Sequence, residues 1–195
     1  MQALTTTRRG RPPKVTAEDW ERAALDALAD GGLAAVAIEP IAARLGASKG
    51  SFYWYFANRD ALIRAALTRW EQDHTEQVVR LLEQIPDPVQ RLRELVRHAL
   101  LGTRGAAVAL LLLADADDPR VGAVVHRVTA RRLEVLTDCF TALGQDPQRA
   151  RHHALASYCA YLGAAALRQG TPDLAPGPDE RYIETVLASF GVPAA

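Results

Sequence analysis

Apolar residues in this chain recur at intervals of three and four from Trp20 to Phe190, and they alternate with polar ones nowhere beyond Val36–Ile38. That period stacks side chains on one face of a helix and lacks the period-two pattern of a half-buried strand. The expected fold class is therefore all-α. Of 195 residues, 49% are apolar and two are cysteine, which is enough to fill a core and too few thiols to staple one. Disordered and disulfide-framework classes are excluded on that ground. The longest unbroken apolar run, Ala106–Ala114, has nine residues, about half of a membrane span. No apolar stretch follows the basic start Met1–Lys14 as a secretion signal would require, so a cytoplasmic location is expected.

Glycines, prolines and capping residues divide the pattern into helices. Thr16 and Asp19 make a capping box with aspartate in the usual Glu/Gln place, and Trp20, Ala23, Ala24, Ala27 and Leu28 follow on one face until Gly31-Gly32. A short second helix carries Ile41, Ala42 and Leu45, has Pro40 in its first turn and stops at Gly46; Ser48 caps a third. A fourth runs from Asn58 to about Leu82 and is broken by Ile85-Pro86-Asp87-Pro88. Further helices are expected near Val89–Leu101, Ala106–Ala114, Pro119–Leu143, Pro147–Arg168 and Asp179–Phe190, with Asp118-Pro119 and Asp146-Pro147 each read as a cap plus a first-turn proline. Gly144 separates the two long helices, and Gly170–Pro178 is a loop. The expected organisation is a basic flexible arm (1–15), a three-helix unit (16–57) and a helical bundle (58–195), about nine helices in all.

Charge is balanced overall, 23 Lys+Arg against 23 Asp+Glu, but residues 1–70 hold ten basic and seven acidic groups, and four of the first fourteen residues are basic with none acidic. The sharpest local signal is Phe52-Tyr53-Trp54-Tyr55-Phe56, five of the chain's twelve aromatics. Phe52 and Phe56 share a helix face and suit a local core. Tyr53, Trp54 and Tyr55 point elsewhere, and exposing such groups asks for a partner; each has a polar tip able to donate to a phosphate. Just upstream, Gly46-Ala47-Ser48-Lys49-Gly50-Ser51 gives a tight turn and a helix start, the arrangement of a helix-turn-helix reader. Lys49 offers a cation, Ser51 a hydroxyl, and Gly50 lets backbone come close. The same stretch matches Gly-x-Ser-x-Gly, so a serine hydrolase using Ser48 is an alternative, but that motif needs a strand-to-helix turn.

Residues 16–70 resemble the DNA-binding domain of the TetR family of bacterial transcriptional regulators, through Ile41-Ala42, Leu45-Gly46, Ser48–Phe56 and Asn58-Arg59-Asp60-Ala61-Leu62. The resemblance implies nine helices, three of them DNA-reading, and a divergent bundle that binds a small molecule and dimerises through its last two long helices. It implies that Lys49 and Gly50 read bases, that Ser51, Tyr53, Trp54 and Tyr55 grip phosphates, and that Arg59 holds another phosphate. Two positions depart from the family. Ala37 replaces a capping hydroxyl, and Glu39 brings an acid to the DNA surface, where it must accept from a cytosine or pair with a neighbouring cation such as Arg44. The Arg9-Gly10-Arg11-Pro12 core of the arm, followed by Lys14, resembles an AT-hook, whose arginines enter a narrow minor groove.

In the bundle, Leu155, Tyr158 and Leu162, with Cys159 and Ala166, form one apolar stripe, and Ile183, Leu187 and Phe190, with Val186, form another. By the resemblance these faces meet their copies across a two-fold axis; ordinary packing within the chain is the alternative. Trp70, His74, His98, His126 and Tyr161 are polar handles in apolar surroundings and are candidate ligand contacts. His152-His153 are adjacent on a helix and cannot chelate as an i,i+4 pair, and Cys139 and Cys159 read as buried apolar thiols. Nothing calls for a metal, a cofactor or an enzymatic centre. The expected function is a homodimeric, ligand-responsive repressor on a palindromic operator, with a hydrolase or a sequence-nonspecific DNA-binding protein as alternatives.

Overall fold

In the computed structural model, which describes residues 15–175, 177 and 179–192, all regular structure is helical. The capping box forms: Thr16 Oγ1 accepts from the Asp19 amide at 3.3 Å, and Asp19 Oδ2 accepts from the Thr16 amide at 2.9 Å. It opens α1 (Ala17–Ala35), whose regular turns end at Gly31-Gly32, where Gly32 takes the left-handed φ of 64°. α2 (Ile38–Leu45) starts at Ala37 without a side-chain cap and stops at Gly46, whose φ of 62° turns the chain by the route glycine adopts at least cost. α3 (Lys49–Phe52) is a single turn capped by Ser48. α4 (Arg59–Glu71) is capped by Asn58 and passes without a break through a π turn, Gln72–Glu76, into α5 (Gln77–Glu83).

Beyond the proline break lie α6 (Pro88–Leu101), α7 (Thr103–Ala114), α8 (Gly122–Ala142), α9 (Pro147–Gly170) and α10 (Glu180–Ser189). Counting the α4–π–α5 rod once gives nine helices among the described residues. One expected boundary fails. Asp118-Pro119 does not start α8, because Asp118 instead accepts from the backbone amide, Nε and Nη2 of Arg120, and the chain stays in turns until Gly122. The same contacts, side-chain bonds foremost, hold the Asp118 carboxyl down to about 2. Asp146-Pro147 behaves as expected, with Asp146 accepting from the amides of Gln148 and Arg149.

Two apolar clusters organise these helices. The first joins α1–α4 to α7 and the start of α8: Trp20, Leu28, Phe52, Leu62 and Leu67 pack with Val108, Leu112, Val121 and Val128. The second, in α6, α8, α9 and α10, centres on Leu92, Phe140, Tyr158, Ile183 and Leu187. Ion pairs reinforce the first cluster. Arg104 of α7 meets Asp26 of α1, Arg120 meets Asp60 of α4 at 2.8 Å, and Arg127 of α8 clasps Glu71 with two contacts of 2.7 and 2.6 Å.

Candidate functional site

The aromatic segment begins at the last residue of α3 and runs through the turn that follows it. Phe52 and Phe56 are buried, and Phe52 stands edge-on to Trp20 at 5.3 Å, so two of the five rings are indeed core. Tyr53 and Trp54 are 54% and 87% exposed. Tyr55, expected on a phosphate, instead donates its hydroxyl to the Val15 carbonyl at 3.0 Å and fastens the root of the N-terminal segment. Ser51 is likewise engaged: its hydroxyl donates to the Ser48 carbonyl at 2.7 Å and its amide to Ser48 Oγ at 3.2 Å. Lys49 is exposed, yet its Nζ lies 2.5 Å from Glu39 Oε1. Glu39 therefore finds its cation in Lys49, whose hydrogen bond lowers the Glu39 pKa, while Arg44 turns to Asp26 and Asp30.

Arg59 departs most from expectation. Its Nε donates to the Val36 carbonyl at 2.5 Å and its Nη2 to that of Leu33, so the guanidinium closes the C-terminal end of α1. Helix ends carry unpaired carbonyls and partial negative charge, and a cation there is satisfied inside the protein. Ser48, the nucleophile of the hydrolase alternative, sits in a helix-turn-helix with its oxygen accepting from Ser51, so the strand-to-helix elbow is not formed there. Arg9, Arg11 and Lys14 lie outside the described residues.

A cavity of about 110 Å³ opens between the π turn, α5, α6, α7, α8, α9 and α10. Of the candidate ligand contacts, His74, His98 and Tyr161 line it. Trp70 and His126 do not: Trp70 is buried behind the wall, its Nε1 3.4 Å from the Gly105 carbonyl, and His126 is exposed elsewhere on α8. Arg132 stands over Trp70 and Tyr161, 5.1 and 5.9 Å from the ring centroids, and donates from Nε to Thr75 Oγ1 and from Nη2 to the His74 carbonyl, both at 3.1 Å. Burial, with Arg132 second, lowers the His74 pKa; burial raises that of Tyr161. Gly105 is required here, because a Cβ on it would lie 2.7 Å from His74 Nδ1.

Arg132, Thr75 and Ser157 are cavity residues that inspection of the sequence passed over. A signal existed for the first: Arg132 interrupts the apolar spacing Val125, Val128, Leu136, Cys139 on α8, a place where a charged residue needs a reason.

The expected dimer faces divide. Tyr158, Ile183 and Leu187 turn into the chain's own core, and Leu162 and Phe190, partly buried, pack against it. Leu155 is 53% exposed and heads an outward face of α9 that continues through Cys159, Gly163 and Leu167. Cys159 is thus exposed rather than buried, whereas Cys139 is buried as expected and burial pushes its thiol up to about 11. Among the described residues no three His, Cys, Asp or Glu side chains converge as a metal site requires, and no single helix is long and apolar enough to cross a membrane.

Comparison with known proteins agrees with this layout. Residues 22–66 match the model of the bacterial regulatory proteins, tetR family. No curated protein matches the chain. Among solved structures, a transcriptional regulator from Rhodococcus sp. Rha1 is similar at 22% identity and TM-score 0.72 over 91% of this chain and 95% of its own. A TetR-family regulator from Agrobacterium tumefaciens is similar at 18% identity and TM-score 0.73, over 92% and 97%. A regulator from Saccharomonospora viridis in complex with choline gives 18% and 0.71, over 90% and 93%. These likenesses show a shared fold, and within it the stretch from α1 into α4, residues 22–66, is similar to the tetR family of bacterial regulatory proteins.

Proposed function

We propose that the protein is a homodimeric repressor that binds a palindromic operator and releases it when a small molecule enters the bundle cavity. The observation that carries the reading is the outward pair Tyr53 and Trp54 beside Lys49 at the start of α3, large polar-tipped rings held in water, an exposure that asks for a partner. Gly50 supports it, since a Cβ there would meet only Ser48 Oγ at 3.7 Å; nothing among the described residues excludes a side chain, whereas close approach by a groove would. Lys49 and Gly50 are assigned to base edges and Tyr53 and Trp54 to phosphates, with Arg9, Arg11 and Lys14 following the adjacent minor groove. Such chemistry belongs in the cytoplasm, where the chromosome is.

Dimerisation is assigned to the outward face of α9, and two recognition helices so paired would meet major grooves roughly 34–36 Å apart. The α4–π–α5 rod supplies the coupling: it begins at the Asn58 cap beside α3 and carries His74 and Thr75 into the cavity wall. A ligand that displaces Arg132 from these residues would move the rod. Selecting bound duplexes from a random pool tests the reading; a recovered palindrome supports it, and recovery of no preferred sequence would favour a nonspecific binder. Leu155→Glu should give a monomer in sedimentation and lose operator binding, and a dimer that survives the change would remove α9 from the interface.

A further inference from the structure

We infer that the cavity takes an amphiphilic monoanion, an apolar body ending in one carboxylate, with Arg132 as its counter-charge. The inference rests on the proposed role of this cavity as the effector site and names the ligand class. Four of its walls, Val78, Val79, Leu82 and Val135, are aliphatic, and among the described residues the lining contains no Asp or Glu. Arg132 makes no ion pair among these residues; its contacts are two rings, a hydroxyl and a carbonyl, all of them neutral. Its third nitrogen, Nη1, is buried and has no hydrogen-bond partner among them, and Ser157 Oγ in the same lining is buried and unpartnered too. Burial of a charge and of polar hydrogens without acceptors is costly. The cavity thus holds an uncompensated guanidinium and an idle hydroxyl facing the same ligand.

The chemistry narrows the occupant further. Burial disfavours the charged form of His74, and Arg132 is the one guanidinium in the lining among the described residues, matched to a single negative charge. A planar carboxylate matches the edge of that group, and Ser157 supplies a further donor. An alcohol of the same length leaves the charge uncompensated. A quaternary ammonium such as choline, or an amine, meets it with like charge.

The experiment uses four probes on the full-length protein: octanoate, octanol, octylamine and choline. Calorimetric titration should show octanoate binding roughly ten- to hundredfold more tightly than the other three, the contribution of one charge-assisted hydrogen bond or more. Arg132→Gln should bring octanoate to the level of octanol. Equal binding of octanol and octanoate, preference for a cationic probe, binding of none of the four, or undiminished octanoate affinity in R132Q would each overturn the inference. If R132Q does not fold, the comparison of probes on the wild type decides alone. A parallel operator titration separates the two readings: octanoate that binds by the expected pattern yet leaves operator affinity unchanged supports this ligand class while removing the cavity from the proposed regulation.

Discussion

Replacing Arg59 by alanine separates a structural arginine from a DNA contact. In the free protein two guanidinium nitrogens donate to carbonyls at the end of α1, those of Leu33 and Val36. A hydrogen bond to a charged group contributes about 1.5–3 kcal/mol. Both bonds are only part-buried, so water recovers some of the loss, and the variant should be destabilised by about 2–4 kcal/mol. For a chain of this length that corresponds to a fall in Tm of about 4–16 °C. Arg59→Lys leaves an ammonium that can reach one carbonyl and should lose about half as much. Thermal unfolding followed by circular dichroism gives the first number, and operator titrations across a salt series give the second. Because Arg59 is engaged inside the protein, the slope of log K against log salt should not change. An unaltered Tm together with a slope flatter by about 1.8 per dimer, two lost phosphate contacts, would refute the reasoning.

The Glu39–Lys49 pair makes an opposite prediction: Glu39→Gln should free the lysine, raise affinity for random duplexes and steepen the salt slope by about 1.8 per dimer, and an unchanged slope would show that Glu39 does not restrain it. Trp54→Ala should leave Tm within about a degree, as an exposed substitution does, while weakening operator binding roughly a hundredfold, about tenfold for the one phosphate bond lost in each half-site; a large Tm loss would place Trp54 in the core. Because burial lowers the His74 pKa below 6.5, the unfolded chain takes up a proton there before the folded one does. Stability should therefore fall as the pH drops through about 6.5, and be constant above it. Unfolding midpoints of wild type and His74→Gln across about pH 5–8 should differ in this slope, and parallel curves would sink the assignment.

Local signals were legible where one short-range contact decides the backbone. The Thr16–Asp19 box, Gly46, Asp146-Pro147 and the buried pair Phe52 and Phe56 all follow from residues within four positions of each other. Asp118-Pro119 misled because the competing partner is equally local: Arg120 captures the carboxylate that would have capped α8. Tertiary demands were not legible. Arg59 and Tyr55 look like phosphate donors in a sequence, and only the fold reveals carbonyls of α1 and of Val15 within reach. The α9 stripe and the α10 stripe were both apparent, but a single periodicity does not say whether a face meets its own bundle or another copy.

The π turn at Gln72–Glu76 sets a phase. A π turn inserts one residue into a helix that otherwise advances by about 100° per residue. Everything after it is rotated relative to everything before it, so α4 can present Leu62, Ile63 and Leu67 to the first cluster while α5 presents Val78, Val79 and Leu82 to the cavity. The rod thus carries two indexings of one helix, and deleting a single residue between positions 72 and 76 would leave every apolar side chain of the rod in the sequence while aiming one of the two sets into water.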